Sequence, residues 1–153
     1  MPIPRKDDGD EVRAMGYVAV YAAYVEEAIE DCYGHLKRHD PRPNGDPWQS
    51  SRRIDSCRRA IAALPIRETL EEIRTDMGLA KELLRGRNVA IHSPLYGLPG
   101  GGNLRQIRGP ARGHRFETAE EIYALAERLF EGATALRAAK VRLPRAIHEA
   151  LRR

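Results

Sequence analysis

Apolar residues recur every three or four positions in several long stretches of this chain, which is the spacing of an amphipathic helix. The most regular stretch runs from about Asp10 to Leu36. Its apolar positions are Met15, Val18, Ala22, Val25, Ile29, Cys32 and Leu36. Residues 1–9 lack this period and are predicted to form a polar tail. The pattern therefore predicts one long first helix.

Prolines delimit the next two predicted helices. Three prolines and a glycine between Asp40 and Pro47 predict a loop. A second helix is predicted from about Ser51 to Leu64, where Pro65 ends it, and a third from about Ile66 to Ser93, where Pro94 ends it. Their inward-facing residues are predicted to be Ile54, Cys57, Ile61 and Leu64 in the second helix, and Leu70, Ile73, Met77, Ala80, Leu84 and Ile91 in the third.

A glycine-rich segment and a capped helix complete the chain. Residues 95–116 are predicted to be a loop with a short ribbon around 104–108. Thr118 followed by Glu121 forms a capping box, which opens a fourth helix reaching about Val141. Pro144 is predicted to begin a separate terminal helix. The predicted fold is an all-α, up-down bundle of four to five helices in one domain, residues 10–153.

Composition narrows the function classes. The chain has 42% hydrophobic and 31% charged residues, as ordinary globular proteins do. It has no signal-peptide core at residues 1–8 and no run of about 20 apolar residues, so a cytoplasmic protein without a membrane segment is expected. Its formal net charge is +4, and 22 of its 26 basic residues are arginine, which is compatible with a phosphate-bearing partner such as RNA.

The segment Arg87-Asn88-Val89-Ala90-Ile91-His92-Ser93 carries the candidate chemistry. Arg87 occupies the next core-facing position of the third helix after Leu84. A guanidinium cannot be deprotonated at working pH, so placing it there is costly unless a partner meets it. Histidine is the side chain whose ordinary pKa lies closest to neutrality, and His92 follows five residues later. The pair indicates a site of chemistry at the end of this helix.

The spacing of this pair is weak evidence by itself. Arginine precedes histidine at a similar distance in three other pairs: Arg85 and His92, Arg108 and His114, and Arg142 and His148. On a regular helix Arg87 and His92 lie about 140° apart, whereas Asn88 and His92 share a face. A second copy of the chain is therefore expected to complete the site.

The long first helix, the proline-rich connection, the Arg-Asn-x-x-x-His-Ser segment and the capped last helix together resemble the HEPN superfamily. The resemblance covers roughly residues 10–142 and is most specific at 84–93. It implies an all-α fold, and for many members a dimeric, metal-independent endoribonuclease of toxin–antitoxin, CRISPR or antiviral systems. Other members are noncatalytic binding or assembly modules, which is the alternative expectation here, for instance an antitoxin-side partner.

The resemblance implies a role for each residue of the segment. His92 would act as general acid or base on the ribose 2′-hydroxyl and the leaving oxygen, and Arg87 would hold the scissile phosphate. Asn88 would orient the phosphate or the histidine, and Ser93 would donate a hydrogen bond. No cofactor or metal is implied. In the structural alternative, Arg87 reaches a carboxylate such as Glu26 or Glu30, and His92 caps a turn.

Three further features of the sequence bear on function. The glycine-rich stretch 97–102 lacks the ending of a phosphate-binding P-loop and is interpreted as a flexible loop. The arginines after it are interpreted as a basic arm that grips the RNA backbone: Arg105, Arg108, Arg112 and Arg115. Residue types that suit zinc occur at Cys32, His35, His39 and Cys57, but Cys32 belongs to the apolar stripe, so no metal site is predicted.

Tyrosines form a second apolar face on the first helix. Tyr17, Tyr21 and Tyr24 stand beside the core stripe rather than on it. A helix with so wide an apolar surface exceeds what one core interface needs. We expect this face to form a homodimer surface, with packing inside one chain as the alternative.

Overall fold

The computed structural model describes residues 11–43, 45–92, 96–97, 103–104 and 118–152. Four helices hold most of them: α1 (Glu11–Leu36), α2 (Ser50–Ala63), α3 (Glu68–His92) and α4 (Ala119–Leu151). A 3-10 turn, Lys37–His39, follows α1. The short strands β1 (Tyr96–Gly97) and β2 (Asn103–Leu104) pair antiparallel. The predicted all-α class is confirmed.

Burial follows the predicted apolar spacing. In α1, the side chains of Val18, Ala22 and Val25 are inaccessible to solvent, as are those of Ile29, Cys32 and Leu36. Met15 is only half-buried, and Ala14 takes the core position instead. In α3, five of the six predicted positions are buried and Ile91 is half-buried. The period therefore identifies the core face, with shifts of one residue near helix ends.

Local signals set the helix ends. Helix α2 stops at Ala63, two residues before Pro65, as predicted. The backbone N–H of Glu121 donates to Thr118 Oγ1 at 3.3 Å, so Thr118 caps α4 as the capping box predicts. The predicted ribbon at 104–108 overlaps the observed one only at Leu104, and residues 105–108 lie outside the described part of the chain.

The predicted break at Pro144 is wrong, because α4 runs unbroken from Ala119 to Leu151 with Pro144 inside it. Proline removes one backbone hydrogen bond and crowds the preceding turn. The apolar stripe nevertheless continues beyond it, with Leu143, Ile147 and Ala150 all buried. Burial on both sides of Pro144 therefore favours continuing the helix through it.

The chain divides by its contacts into two compact units. Among the residues that the structure describes, the first unit holds those up to Ala23 and those between Glu82 and Glu131, and the second holds those from Tyr24 to Lys81 and from Gly132 onward. Within the second unit, the predicted up-down order is wrong for α1 and α2. Ser50 contacts Glu26, Arg53 pairs with Glu30, and Ser56 contacts Asp40, so α2 runs in the same direction as the α1 segment beside it.

The loop between α1 and α2 explains this direction, because it doubles back along α1. Tyr33 donates a hydrogen bond to the Gly45 carbonyl at 3.0 Å, and Lys37 Nζ lies 3.2 Å from Asp46 Oδ1. Arg53 Nε donates to the Pro47 carbonyl at 2.6 Å.

None of the described helices has both the length and the apolar character that a membrane span requires.

Candidate functional site

The Arg-Asn-x-x-x-His segment forms the last turns of α3, and α3 ends at His92. Gly86 stands immediately before it, against α4. A Cβ built at Gly86 would lie 3.1 Å from Leu125 Cδ1, closer than side chains ordinarily pack. The glycine therefore allows a close approach of the two helices, and this contact anchors the end of α3 in the first unit.

Arg87 lies on the core-facing side of α3, as predicted. Its neighbours along that side, Leu84 and Ala90, are buried, and Arg87 itself is half-buried with its Nε shielded from solvent. The side chain interacts with other groups of the protein. The two carboxylates considered as its alternative partners both make contacts with α2: Glu26 accepts from Ser50 at 3.4 Å and Glu30 pairs with Arg53 at 3.8 Å.

Asn88 and His92 are both exposed. They are four residues apart in a continuous helix, so they share one face and are separated by one turn. An amide and an imidazole at this spacing can contact one bound group together. Arg87 stands about 140° from His92 around the helix and about 7.5 Å along it. One copy of α3 therefore points the guanidinium and the imidazole in different directions.

The structure separates Arg87 from the arginines of two competing pairs. Arg85 is exposed and its guanidinium bonds Glu82 at 2.9 Å. Arg142 is exposed and pairs with Glu72 at 3.2 Å. The third pair, Arg108 and His114, lies outside the described residues. Of the described arginines that precede a histidine in this way, Arg87 alone is half-buried on the core side.

Several predicted site residues lie outside the described part of the chain. Ser93 and all four arginines of the predicted basic arm, Arg105, Arg108, Arg112 and Arg115, fall outside the described part of the chain. The glycine-rich stretch 97–102 is described only at Gly97, in β1. The RNA-binding role of this segment stays a prediction.

The cysteines considered as zinc ligands are buried in the second unit. Cys32 Sγ donates a weak hydrogen bond to the Leu136 carbonyl at 3.8 Å, and burial raises the pKa of its thiol to about 12. Burial also raises the pKa of Cys57. His35 is exposed. Within the described residues, no group of three His, Cys, Asp or Glu side chains could hold a metal ion.

The tyrosine face of α1 packs largely inside the first unit. Tyr17 and Tyr21 stack with ring centroids 5.9 Å apart, and Tyr17 also meets Tyr123 at 6.3 Å. Tyr21 meets Phe130 edge-on at 5.1 Å. Tyr17 and Tyr21 therefore pack against other rings of the same chain, which was the alternative to a homodimer surface. Tyr24 is exposed, with the Arg137 guanidinium 4.6 Å from its ring centre.

Two charged residues of the second unit carry no distinguishing signal in the sequence. Asp40 is buried and ion-paired to Arg59 at 2.7 Å. Arg58 is half-buried beside Gly78 of α3. Asp40 sits in a proline-rich loop and Arg58 beside another arginine in α2, so no periodicity or motif distinguishes either one.

The end of α3 thus offers three kinds of group to a ligand. A guanidinium has paired hydrogen-bond donors of the kind that suit a phosphate, the amide both donates and accepts, and an imidazole can act as a proton donor or acceptor. Comparison with family models, curated proteins and solved structures finds no match to this chain.

Proposed function

We propose that the chain is a metal-independent endoribonuclease of the HEPN type, acting in a bacterial toxin–antitoxin or defence system. The observation that carries this proposal is the arrangement at the end of α3. There Asn88 and His92 are exposed on one face, beside the half-buried Arg87. These side chains supply a proton carrier, a polar orienting group and a fixed positive charge, which are the groups that RNA cleavage without a metal requires.

Cleavage would proceed by attack of the ribose on its own phosphodiester. The His92 imidazole takes the proton of the 2′-hydroxyl, and the 2′-oxygen bonds to phosphorus. Arg87 offsets the negative charge that grows on the phosphoryl oxygens, while Asn88 orients the phosphate or the imidazole. The bond to the 5′-oxygen breaks, and the protonated His92 imidazole gives its proton to this oxygen. The products are a 2′,3′-cyclic phosphate and a 5′-hydroxyl end.

A homodimer is part of this proposal. Arg87 and His92 diverge by about 140° within one copy of α3, so one phosphate cannot easily meet both. Two copies related by a two-fold axis bring the arginine of one chain toward the histidine of the other. A cognate antitoxin would then inhibit the enzyme by covering this shared site.

A noncatalytic HEPN-like module, binding RNA or another protein, is the second candidate. The observation that favours it is that Arg87 already interacts with other groups of its own chain. An arginine used to stabilise the end of α3 is less available to a phosphate. This candidate predicts RNA or protein binding without any cleavage.

The test is cleavage of end-labelled single-stranded RNA by the purified protein in excess chelator. We expect His92→Ala to lower the cleavage rate by about 10²–10⁴-fold, the usual contribution of a general acid or base. Asn88→Ala tests the orienting role at an exposed helical position, where the cost in stability is small. A 2′-deoxy substitution at the cleaved nucleotide should abolish the reaction.

His148→Ala is the matched control. His148 is exposed in the last turn of α4 and follows Arg142 at a similar spacing, but Arg142 forms a salt bridge with Glu72. This variant should cleave at the unaltered rate. Cleavage that disappears with chelator, or that persists in His92→Ala, rules out the proposed mechanism. RNA binding without cleavage by the unaltered protein supports the noncatalytic candidate.

A further inference from the structure

The facing sides of α2 and α3 in the second unit form a charged seam. Lys81 Nζ of α3 lies 2.7 Å from Asp55 Oδ1 of α2. One turn along, the Arg58 guanidinium lies against Gly78, and a Cβ built at Gly78 would be 3.7 Å from Arg58 Cζ. These contacts show that the two helices run antiparallel here. They also place Arg74, one turn before Gly78, on the same side of α3.

Arg58 differs from the other half-buried arginines. Six described arginines are half-buried, and five of them interact with a carboxylate, a carbonyl, a ring or another group of the chain: Arg13, Arg53, Arg59, Arg74 and Arg87. Arg58 has no hydrogen bond or ion pair with any described residue. Its Nε is buried without a hydrogen-bond partner. A shielded donor with no acceptor is costly, which indicates that a ligand supplies one.

The charges of the seam leave one positive charge unbalanced. Lys81 is neutralised by Asp55, and Arg74 Nη1 lies 3.5 Å from Glu71 Oε2, at the limit of a hydrogen bond. The Arg74 Nε is buried and, like that of Arg58, has no hydrogen-bond partner. The seam therefore presents two Nε–H donors without acceptors and one guanidinium without a counter-charge.

We propose that Arg58, assisted by Arg74, binds a phosphate group in the seam between α2 and α3. The forked donors of a guanidinium match the oxygens of a phosphate, and a dianion or diester would supply the missing negative charge. Gly78 presents no side chain to the guanidinium, so this part of α3 supplies no acceptor to it. The phosphate belongs either to an RNA backbone or to a small phosphate compound, because both present the same oxygens. The proposal does not depend on ribonuclease activity.

The test follows the arginine Nε–Hε signals of ¹⁵N-labelled protein during titration with inorganic phosphate, adenosine monophosphate and a short single-stranded RNA. We expect the Arg58 signal to shift and saturate with at least one of these probes. Arg58→Gln, which keeps most of the aliphatic stem, should lower the affinity for that probe by at least tenfold. Phosphate that competes with the RNA identifies a backbone site, and binding confined to the small probes identifies a small phosphate compound.

Arg52→Gln is the matched control, because Arg52 is an exposed arginine on the same helix. It removes the same charge and should change the affinity less than twofold. Melting temperatures measured on both variants show whether each remains folded, and Arg58→Lys restores the charge without the fork. An Arg58 signal that does not respond to any probe overturns the proposal. So does an equal loss of affinity in the two Gln variants, since the attraction is then only that of net charge.

Discussion

Asp40 is a buried carboxylate whose ionised form is stabilised by its neighbours. It accepts hydrogen bonds from Arg59 Nη2 at 2.7 Å, from Ser56 Oγ at 2.6 Å and from the Arg42 backbone N–H at 2.9 Å. The Arg59 hydrogen bond is the largest effect, and together these donors outweigh burial and lower the pKa of Asp40 to about 2. The network ties the loop after α1 to α2.

This network predicts how stability depends on pH. The pKa of Asp40 is lower in the folded chain than the value of about 3.9 expected when unfolded, so its ionisation favours folding above about pH 4. That stabilisation, on the order of 2 kcal/mol, should be lost as the pH falls from about 4 to 2. Denaturant unfolding of the unaltered chain and of Asp40→Asn over this range measures the difference between them, which should shrink as the pH falls.

Asp46→Asn is the control, because Asp46 is a largely exposed carboxylate of the same loop, paired with Lys37. It should lose little stability and keep the pH dependence of the unaltered chain. If the stability of Asp40→Asn varies with pH as steeply as that of the unaltered chain, Asp40 is not the source of the effect.

At Pro144, helix α4 departs from what the local sequence predicts, because a proline ordinarily ends or breaks a helix. A proline within a helix costs about 3 kcal/mol relative to alanine, because it lacks an N–H donor for the carbonyl four residues earlier. Since α4 continues through Pro144, Pro144→Ala should restore that hydrogen bond and raise the free energy of unfolding by about 1–3 kcal/mol. Denaturant unfolding measures it, and Val141→Ala, at an exposed position one turn earlier, should change it by less than about 1 kcal/mol. An unchanged stability in Pro144→Ala would mean that the helix has adapted to the missing donor.

The helices could be predicted from the sequence because each one buries a face with a regular period. Val18, Val25 and Ile29 are examples, since their spacing alone identifies the buried side of α1. The direction of α2 could not be predicted in this way. A period shows which residues are buried but not which helix buries them, and the loop direction depends on contacts such as that of Tyr33 with Gly45.

The candidate site divides in the same way. The phase of α3 sufficed to place Arg87 on the core side and Asn88 with His92 on an exposed face. The sequence could not show that Arg58 lacks an ion-pair partner among the described residues. It differs from Arg59 only in its surroundings, because Arg59 pairs with Asp40 whereas Arg58 lies against Gly78. The phase of a helix therefore predicts which side of the helix a residue occupies, but not whether its charge is balanced.

At the scale of the whole molecule, the excess charge is concentrated in one segment. The formal net charge is +4, and residues 105–115 contain four arginines and no acidic residue, so the remainder of the chain is neutral. Long-range attraction to RNA phosphates would therefore act mainly through this segment, which follows the α3 site along the chain. Such an arm would add affinity without sequence specificity and leave the chemistry to α3.

The divergence of Arg87 and His92 predicts that activity belongs to a pair of chains rather than to one. The 17.2 kDa chain should behave in light scattering as a species of twice that mass, and specific activity should fall on dilution below the dimer dissociation constant.

A sharper test mixes two inactive variants, His92→Ala and Arg87→Gln, under conditions where subunits exchange. If each site takes its arginine from one chain and its histidine from the other, half of the dimers regain one intact site, and about a quarter of the activity returns. If each chain carries its own complete site, every site in the mixture stays defective and no activity returns. An equal mixture of His92→Ala and unaltered chain is the control for inhibition by an altered subunit, because it should keep half of the activity whether or not the subunits exchange.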